Sequence, residues 1–248
     1  MARVVGIGTY KFLASFIPQH ISNKTVIRVY RILAWIKVPQ SVREKNYQHN
    51  LQSLKRMNPK LWQDPLACIE NQAQWGDVRF GAGRHHNMGY SGCEIIAVFN
   101  AQKVLRGAGS AEEMTEMIRL YESNGAALWG SFGTSPWAVV QYFKKQGFDV
   151  LLSYGEDDTI NAIEQKSQVM IATVYNDRYD ITRQIHTVCI TRGQDGGFVV
   201  HNAYFKDRDG TYMASPPYGT LREAVAHISN YQTKLICLAG ISLFCADL

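Results

Sequence analysis

The chain of 248 residues lacks an uninterrupted apolar run of about 18 residues, so no membrane-spanning helix is predicted. It has only five cysteines, an odd number, and no C-x-x-C pair, which argues against a disulfide scaffold and a metal site of that pattern. A reducing compartment is therefore expected, and we predict a cytoplasmic protein, with a secreted or membrane-associated one as the alternative. The sequence also lacks internal repeats and low-complexity tracts.

Acidic residues are scarce at the beginning of the chain, where residues 1–60 contain 11 Lys and Arg but one acid, Glu44. Residues 61–248 have the opposite balance, 15 Lys and Arg against 20 Asp and Glu, and the whole chain has a net charge of +5. Because the positive excess is confined to one segment, it does not indicate nucleic-acid binding. We predict a basic, mostly helical segment over 1–60 and an α+β domain over 61–248.

The basic segment contains three parts. Residues 1–21 have some features of a signal peptide, but Lys11 interrupts the apolar stretch and no small-residue cleavage site follows. Residues 23–38 predict a basic helix with a tryptophan, of a kind that can lie on an anionic membrane surface. The interpretation we prefer is that its apolar face packs on the body of the protein. A second basic helix over 41–57 is predicted to begin at a Ser-x-x-Glu capping box at Ser41.

The stretch from residue 87 to residue 96 is typical of a helix start that activates a thiol. Ser91 and Glu94 form another Ser-x-x-Glu pattern, which makes Ser91 the expected N-cap and places Cys93 at the second helical position. The backbone N–H groups and the helix dipole there favour a thiolate, which is the nucleophilic form of cysteine. The alternative is a structural cysteine at the start of a core helix.

After this region, the sequence predicts helices first and strands later, which is an α+β pattern. The Cys93 helix is expected to end near Arg106, with Gly107 just beyond it. Further helix starts are predicted at the capping boxes of Ser110 and Thr220 and at Ser135-Pro136. A helix is predicted over 157–166, and strands are predicted over 148–154, 169–174 and 235–244.

A histidine and an asparagine are predicted to meet in a β-hairpin. Two β-type runs flank the glycine-rich turn 192–197. If Thr191 pairs with Gly197, His186 and Asn202 lie directly opposite each other, with their Cβ atoms roughly 4.5–5.5 Å apart. The Asn202 amide carbonyl could then accept the imidazole N–H and fix the tautomer. The other pairing that the turn allows is shifted by one residue, and it would place the two side chains on opposite faces.

Cys93, His186 and Asn202 follow one another in the order of the Cys-His-Asn triad of papain-like peptidases. The chain resembles that superfamily, and within it the bacterial peptidases related to the double-glycine leader peptidases of bacteriocin exporters. The resemblance covers roughly residue 72 to the C-terminus. The residues that carry it are the NQAQWGD sequence at 71–77, Phe80-Gly81, the YSGC sequence at 90–93, the His186 strand and Asn202.

The resemblance implies a papain-like fold, in which the helix that bears the nucleophile packs on an antiparallel sheet. It implies a cysteine peptidase that acts on a peptide or protein through a thioester, without a metal or organic cofactor, and a transporter partner in exporter-linked relatives. It also implies a Gln oxyanion donor six residues before the nucleophile, where this chain has Asn87. Asn87 also carries an NH₂ donor, on a side chain one methylene shorter. Gln72 or Gln74 could supply the donor instead.

Other candidates for these roles rank lower. His201 is expected on the face opposite Asn202, so it would lack that orienting group. Cys189 lies in the middle of a strand, away from any helix dipole, and Cys68 shows no sign of activation in the sequence. The side chains of the adjacent histidines in Arg84-His85-His86 point apart in most backbones, so we interpret this triplet as an exposed loop.

Two other functions stay open at this point. A papain-like acyl-transfer enzyme, such as a deamidase or a transglutaminase-type effector, would use the same triad with a different acceptor. A papain-like binding module without turnover is the other possibility, and the Asn87 departure is its best support. The role of residues 1–60 is also open among a pro-segment, a membrane contact and a packed part of the body.

Overall fold

The structure, a computed structural model, describes residues 20–57, 59–64, 66–83, 85–107, 109–176, 185–228 and 235–243. These residues form an α+β fold in which most helices precede the strands, as the sequence predicts. The predictions that concern residues 1–19, Arg84 and Cys245 lie outside the described residues. A search of the described helices finds none that is long and apolar enough to cross a membrane.

The helices differ widely in length, from one turn to about five turns. A short 3₁₀ turn (Gln72–Trp75) lies between the third and fourth of them. In chain order the described helices are α1 (Asn23–Leu33), α2 (Gln40–Arg56), α3 (Pro59–Gln63), α4 (Met88–Ser91), α5 (Cys93–Arg106), α6 (Ala111–Asn124), α7 (Trp137–Lys145), α8 (Asp157–Lys166) and α9 (Leu221–His227).

The strands of the described residues form one antiparallel sheet in the order β1-β5-β2-β3-β4. The last strand of the chain therefore lies between the first two, and β3 and β4 form a hairpin at one edge. The strands are β1 (Phe148–Ser153), β2 (Val169–Tyr175), β3 (Ile185–Arg192), β4 (Phe198–His201) and β5 (Leu235–Leu243).

Helix α5 lies in the centre of the protein and packs against β2 and β3. All of its residues from Cys93 to Lys103 are buried, as expected for a helix with few polar positions. It ends where the sequence predicts, at Arg106, because Gly107 adopts the left-handed conformation with φ 70°. Its first residue, Cys93, lies against β3.

The two faces of the sheet are covered by different helices, because side chains alternate along a strand. One face, which includes Ile171 and Cys189, packs on α5 and, at β1, on α7. The other face, which includes Val188 and Ile190, packs on α8 and α9. His186 lies two residues before Val188 on β3, so strand alternation sets it on this second face. The sheet is therefore buried on both sides over most of its width.

The basic N-terminal helices pack on this body. Helix α1 buries Val26, Ile27 and Tyr30 against residues of the sheet, which confirms the preferred interpretation of the helix predicted over 23–38. Helix α2 contributes Leu54 to the core that surrounds α5.

The predicted capping boxes have mixed outcomes. Those at Ser110 and Thr220 are present with both reciprocal hydrogen bonds. The box at Ser41 is wrong, because α2 already begins at Gln40 behind Pro39. Helix α7 begins at Trp137 behind Pro136, one residue later than the Ser135-Pro136 pair predicts.

Candidate active site

Cys93 is the first residue of α5, but the predicted N-cap at Ser91 is wrong. The chain already makes one helical turn, α4, which Asn87 caps, so Ser91 is helical and Gly92 becomes the N-cap of α5. A capping side chain needs a non-helical backbone, which Ser91 lacks here. Glu94 is fully buried instead of reaching back to residue 91. Cys93 is therefore at the first helical position and not at the second.

The Cys93 thiol lies against the backbone of β3 on either side of His186. Its Sγ atom is 4.0 Å from the carbonyl oxygen of Ile185, and Thr187 provides backbone and side-chain hydrogen bonds that stabilise the thiolate. The Cys93 residue is 8% exposed. Burial nevertheless raises the pKa of Cys93 to about 11, against the lowering effect of the Thr187 and Glu94 N–H groups. The expectation that the helix start lowers the thiol pKa is wrong, because desolvation outweighs the N–H groups.

His186 is buried near the beginning of β3, and its ring is fixed on two sides. Its Nε2 atom is 2.8 Å from the backbone carbonyl oxygen of Asn202, and the ring of Tyr204 stacks on it with centroids 5.0 Å apart. Nε2 donates to that carbonyl, so the proton is on Nε2 and Nδ1 is the free acceptor. Burial lowers the pKa of His186, and the hydrogen bond to Asn202 raises it less.

Asn202 fixes His186 in a way that the sequence did not predict. The residue has a left-handed backbone, φ 59°, and presents its main-chain carbonyl to the imidazole. Its side-chain Oδ1 instead accepts the backbone N–H of Gln72 at 3.0 Å. The prediction that the two residues meet is confirmed, and the prediction that the Asn202 amide makes the contact is wrong.

The hairpin register explains this difference. Cys189 pairs with His201 and Thr191 pairs with Val199, so the true register is shifted by two residues from the predicted Thr191–Gly197 pair. A shift of two keeps each side chain on its face. Its continuation would set Tyr204 opposite His186, and this is the residue whose ring stacks there.

Asn87 and Gln72 both lie near the start of α5. Asn87 is the N-cap of α4, and its Oδ1 accepts the backbone N–H of Tyr90 at 2.9 Å. Gln72 is buried, and its Nε2 donates to the carbonyl oxygen of Gly89 at 3.1 Å. Gln72 also contacts Asn202, so its amide belongs to the same group of residues as the histidine partner.

A second cluster lies beside Asn202. His201 is 8% exposed, and its Nδ1 is 2.6 Å from the Oε1 of Glu70, while its Nε2 is 2.8 Å from the hydroxyl of Thr191. Burial lowers the pKa of His201, but hydrogen bonds with Cys68 and Glu70 raise it to about 10. Cys68, Glu70 and His201 are the residues in the described chain that could hold a metal ion.

Glu70 is a site residue that the sequence did not reveal. Its second oxygen accepts the backbone N–H of Asn202 at 2.8 Å, so one carboxylate holds residues 201 and 202 together. The contact spans more than 130 residues of sequence. The one local signal is the Cys-x-Glu spacing around Ile69, which is too common to identify a site.

The described residues thus bring His186 and Asn202 into direct contact and place Cys93 against the strand that carries His186. Within this described part, no hydrogen bond joins Sγ to the imidazole. In comparisons with family models, curated proteins and solved structures, no match to the chain was found. The resemblance to papain-like peptidases therefore stays a prediction that depends on these residues.

Proposed function

We propose that the chain is a papain-like cysteine peptidase of the kind that processes bacteriocin leaders, acting on a peptide or protein through Cys93, His186 and Asn202. One observation carries the proposal. The first residue of the central helix lies against residues 185–187 of β3, while the histidine of that segment has its Nε2 held by Asn202. Acyl transfer requires a nucleophile within hydrogen-bond reach of a base that a third group orients. Strand alternation sets His186 on the face opposite α5, so the approach of Sγ to the imidazole is what the experiment must test.

The resting state is a neutral thiol and a neutral imidazole, because burial raises the pKa of Cys93 and lowers that of His186. His186 therefore acts as a general base at Nδ1 and takes the thiol proton while Sγ attacks the substrate carbonyl. Catalytic hydrogen bonds often form only when substrate binds, so Sγ and Nδ1 are expected to come within hydrogen-bond distance in the complex.

The reaction then proceeds in two steps, acylation of Cys93 and hydrolysis of the thioester. The S–C bond forms, the peptide C–N bond breaks, and the imidazolium returns its proton to the leaving amine, which leaves a thioester on Cys93. Water, deprotonated by His186, hydrolyses the thioester and regenerates the thiol. The backbone N–H of Cys93 is the candidate oxyanion donor. The NH₂ group of Asn87, or that of Gln72, would be the second.

A papain-like binding module without turnover is the competing function, and the burial of Cys93 favours it. An acyl transferase shares the first step with the peptidase and differs in the acceptor. If the proposal holds, we expect the protein to work in a compartment that keeps the Cys93 thiol reduced.

The test is incubation of the full chain with a peptide library, followed by mass spectrometry. A peptidase produces new termini, each cleavage adding one water, and traps a Cys93 thioester with slow substrates. Cys93→Ala and His186→Ala should abolish the products, while Cys189→Ala, which removes a buried thiol on β3, should leave them unchanged. Products that contain an added amine instead of water would identify an acyl transferase. A library without products would favour the binding module.

A further inference from the structure

Cys68, Glu70 and His201 form a compact set of three different metal-ligating side chains. One ligand atom from each of them lies within 4.8 Å of the other two. Cys68 and Glu70 are half-buried and His201 is buried. None of the three belongs to the proposed triad, so a ligand bound by them would not depend on the peptidase activity.

The backbone that carries these ligands is rigid before any ion arrives. The side-chain amide of Asn100, on the central helix, bonds both the N–H and the carbonyl of Ile69, at 2.8 and 3.1 Å. Ile69 itself is buried in the core, which fixes the residues on both sides of it. His201 is held by its pairing with Cys189 across the hairpin. A site on such fixed elements loses little entropy when it closes on an ion.

We propose that Cys68, Glu70 and His201 bind a single divalent ion of the zinc type. Thiolate, imidazole and carboxylate are the three ligand classes that Zn²⁺ uses in proteins. The thiolate and the carboxylate together neutralise the double charge of the ion, which suits a site that is largely removed from water. Three protein ligands leave one tetrahedral position for water.

The contacts around the ligands fit this assignment. The Thr191 hydroxyl bonds Nε2 of His201, which directs Nδ1 towards the site, and the N–H of Asn202 holds the second oxygen of Glu70. Such outer contacts orient metal ligands in proteins. Oε1 and Nδ1 are now 2.6 Å apart. Bonds from ligand atoms to zinc are about 2.0–2.2 Å long, so two ligand atoms in tetrahedral geometry are about 3.4 Å apart. Oε1 and Nδ1 would therefore have to move apart by about 0.8 Å.

The ion takes the Cys68 sulfur as thiolate and the Nδ1 lone pair of His201, and any proton on either atom leaves to solvent. The ion would also fix Glu70, and through it Asn202, whose carbonyl holds the ring of His186. Bound metal should therefore raise the thermal stability of the protein.

The experiment is a Co²⁺ titration of the full chain in the Cys93→Ser background, so that the proposed nucleophile cannot contribute a thiolate. We expect one equivalent of Co²⁺ to produce thiolate-to-cobalt absorption in the near ultraviolet, and Zn²⁺ to remove it by competition. Cys68→Ser should abolish this absorption. Thr191→Val should lower the affinity about 10–100-fold, as for the loss of an outer contact. Cys237→Ser, which removes a buried thiol of β5, is the matched control and should change nothing.

Two results would overturn the assignment. One is that the starting protein shows no cobalt absorption at tenfold molar excess. The other is that the absorption persists in Cys68→Ser. If circular dichroism shows that Cys68→Ser does not fold, Glu70→Gln decides, because it keeps the shape of the side chain and removes its charge. Unchanged affinity in that variant would equally reject the site.

Discussion

Cys93 and His186 are both buried, and burial moves their pKa values in directions that keep both groups neutral. The helix N-terminus and Thr187 act in the opposite direction on the thiol, but their effect is smaller. The reactivity of Cys93 at rest should therefore follow the burial of its sulfur and not its place on the helix.

We predict that the alkylation rate of Cys93 by iodoacetamide still rises above about pH 9, because its thiolate forms fully only above a pKa of about 11. The rate, mapped to this residue by mass spectrometry, should level off at lower pH in denatured protein, where the unperturbed thiol pKa is about 8.5. A fast reaction near pH ~6 that His186→Ala slows would contradict this. It would show instead that a thiolate–imidazolium pair exists at rest.

Glu122 is a buried carboxyl group whose pKa departs strongly from its ordinary value. Its Oε1 accepts the amide of Asn46 at 2.6 Å and the N–H of Gly81 at 2.8 Å, yet burial raises its pKa from 4.5 to about 7. The folded protein therefore keeps this proton at pH values where the unfolded chain loses it. The resulting stability is complete below about pH 4.5 and is lost as the pH rises through about 7.

Glu122→Gln keeps an acceptor oxygen and removes the titration. We expect this variant to be more stable than the wild type at about pH 9, by up to about 3 kcal/mol, and equal to it near pH ~4.5. Urea unfolding at the two pH values measures the difference. A variant that is less stable than the wild type at both would show that the carboxylate itself is needed.

Helix α1 has two unlike faces, and the second of them bears on the membrane contact that was the alternative interpretation of residues 23–38. One face is buried on the body through Val26, Ile27 and Tyr30. The other face and the residues just after the helix expose apolar side chains next to several Lys and Arg residues, and Trp35 is 76% exposed. These exposed apolar residues are Val29, Ile32, Trp35 and Ile36. An exposed apolar stripe beside basic residues can lie in the headgroup region of an anionic bilayer.

We predict that the protein binds vesicles that contain phosphatidylglycerol, measured by sedimentation, and that salt weakens the binding. Trp35→Ala should lower the affinity at least about tenfold, since burial of an apolar side chain contributes on the order of 1.5 kcal/mol or more. Leu66→Ala, at an exposed leucine outside α1, is the control. Equal binding to neutral phosphatidylcholine vesicles, or none to either, would contradict the membrane contact.

Elements with strong local signals could be predicted from the sequence, whereas contacts between distant side chains and backbone could not. The C-terminal end of α5 and both ends of α8 match their predictions, because apolar patterning, and Gly107 for α5, fix them locally. The same Ser-x-x-Glu pattern succeeded at Ser110 and failed at Ser91. At Ser91 the preceding turn had already made the backbone helical, and a four-residue motif does not reveal this.

The contact between His186 and Asn202 was predicted, but the atoms that make it were not, for a related reason. Alternation along the strands fixed which face His186 occupies, but the turn decided the register. The conformation of that turn depends on Gly196 at φ 82° and on the Asp195 side chain, which accepts the N–H of Gly197. The left-handed backbone of Asn202 could not be predicted from local propensity. The Glu70 contact that supports it is equally invisible to a local pattern.

At the scale of the whole molecule, the contacts of α2 bear on the predicted boundary near residue 60. The Asn50 side chain bonds both the N–H and the carbonyl of Arg79, each at 2.8 Å, as a neighbouring strand would. Asn46 bonds the carbonyl of Gly81 at 3.0 Å. These amides satisfy backbone groups of the loop that leads to Cys93. Of the roles left open for residues 1–60, these contacts favour a packed part of the body for the described residues 20–57.

We therefore predict that α2 and the remainder unfold together. Asn50→Ala leaves two part-buried backbone groups of Arg79 without partners. A fully buried group of this kind costs roughly 1–3 kcal/mol, so for these two we expect a loss in the lower part of that range, about 2–4 kcal/mol in all, in urea unfolding. Gln48→Ala, at an exposed position of the same helix, is the matched control and should change stability by less than about 0.5 kcal/mol. A chain of residues 61–248 should lose the cooperative transition, because Leu54 and these amides leave with α2. If that chain unfolds cooperatively at the midpoint of the full protein, residues 1–60 are a separable unit.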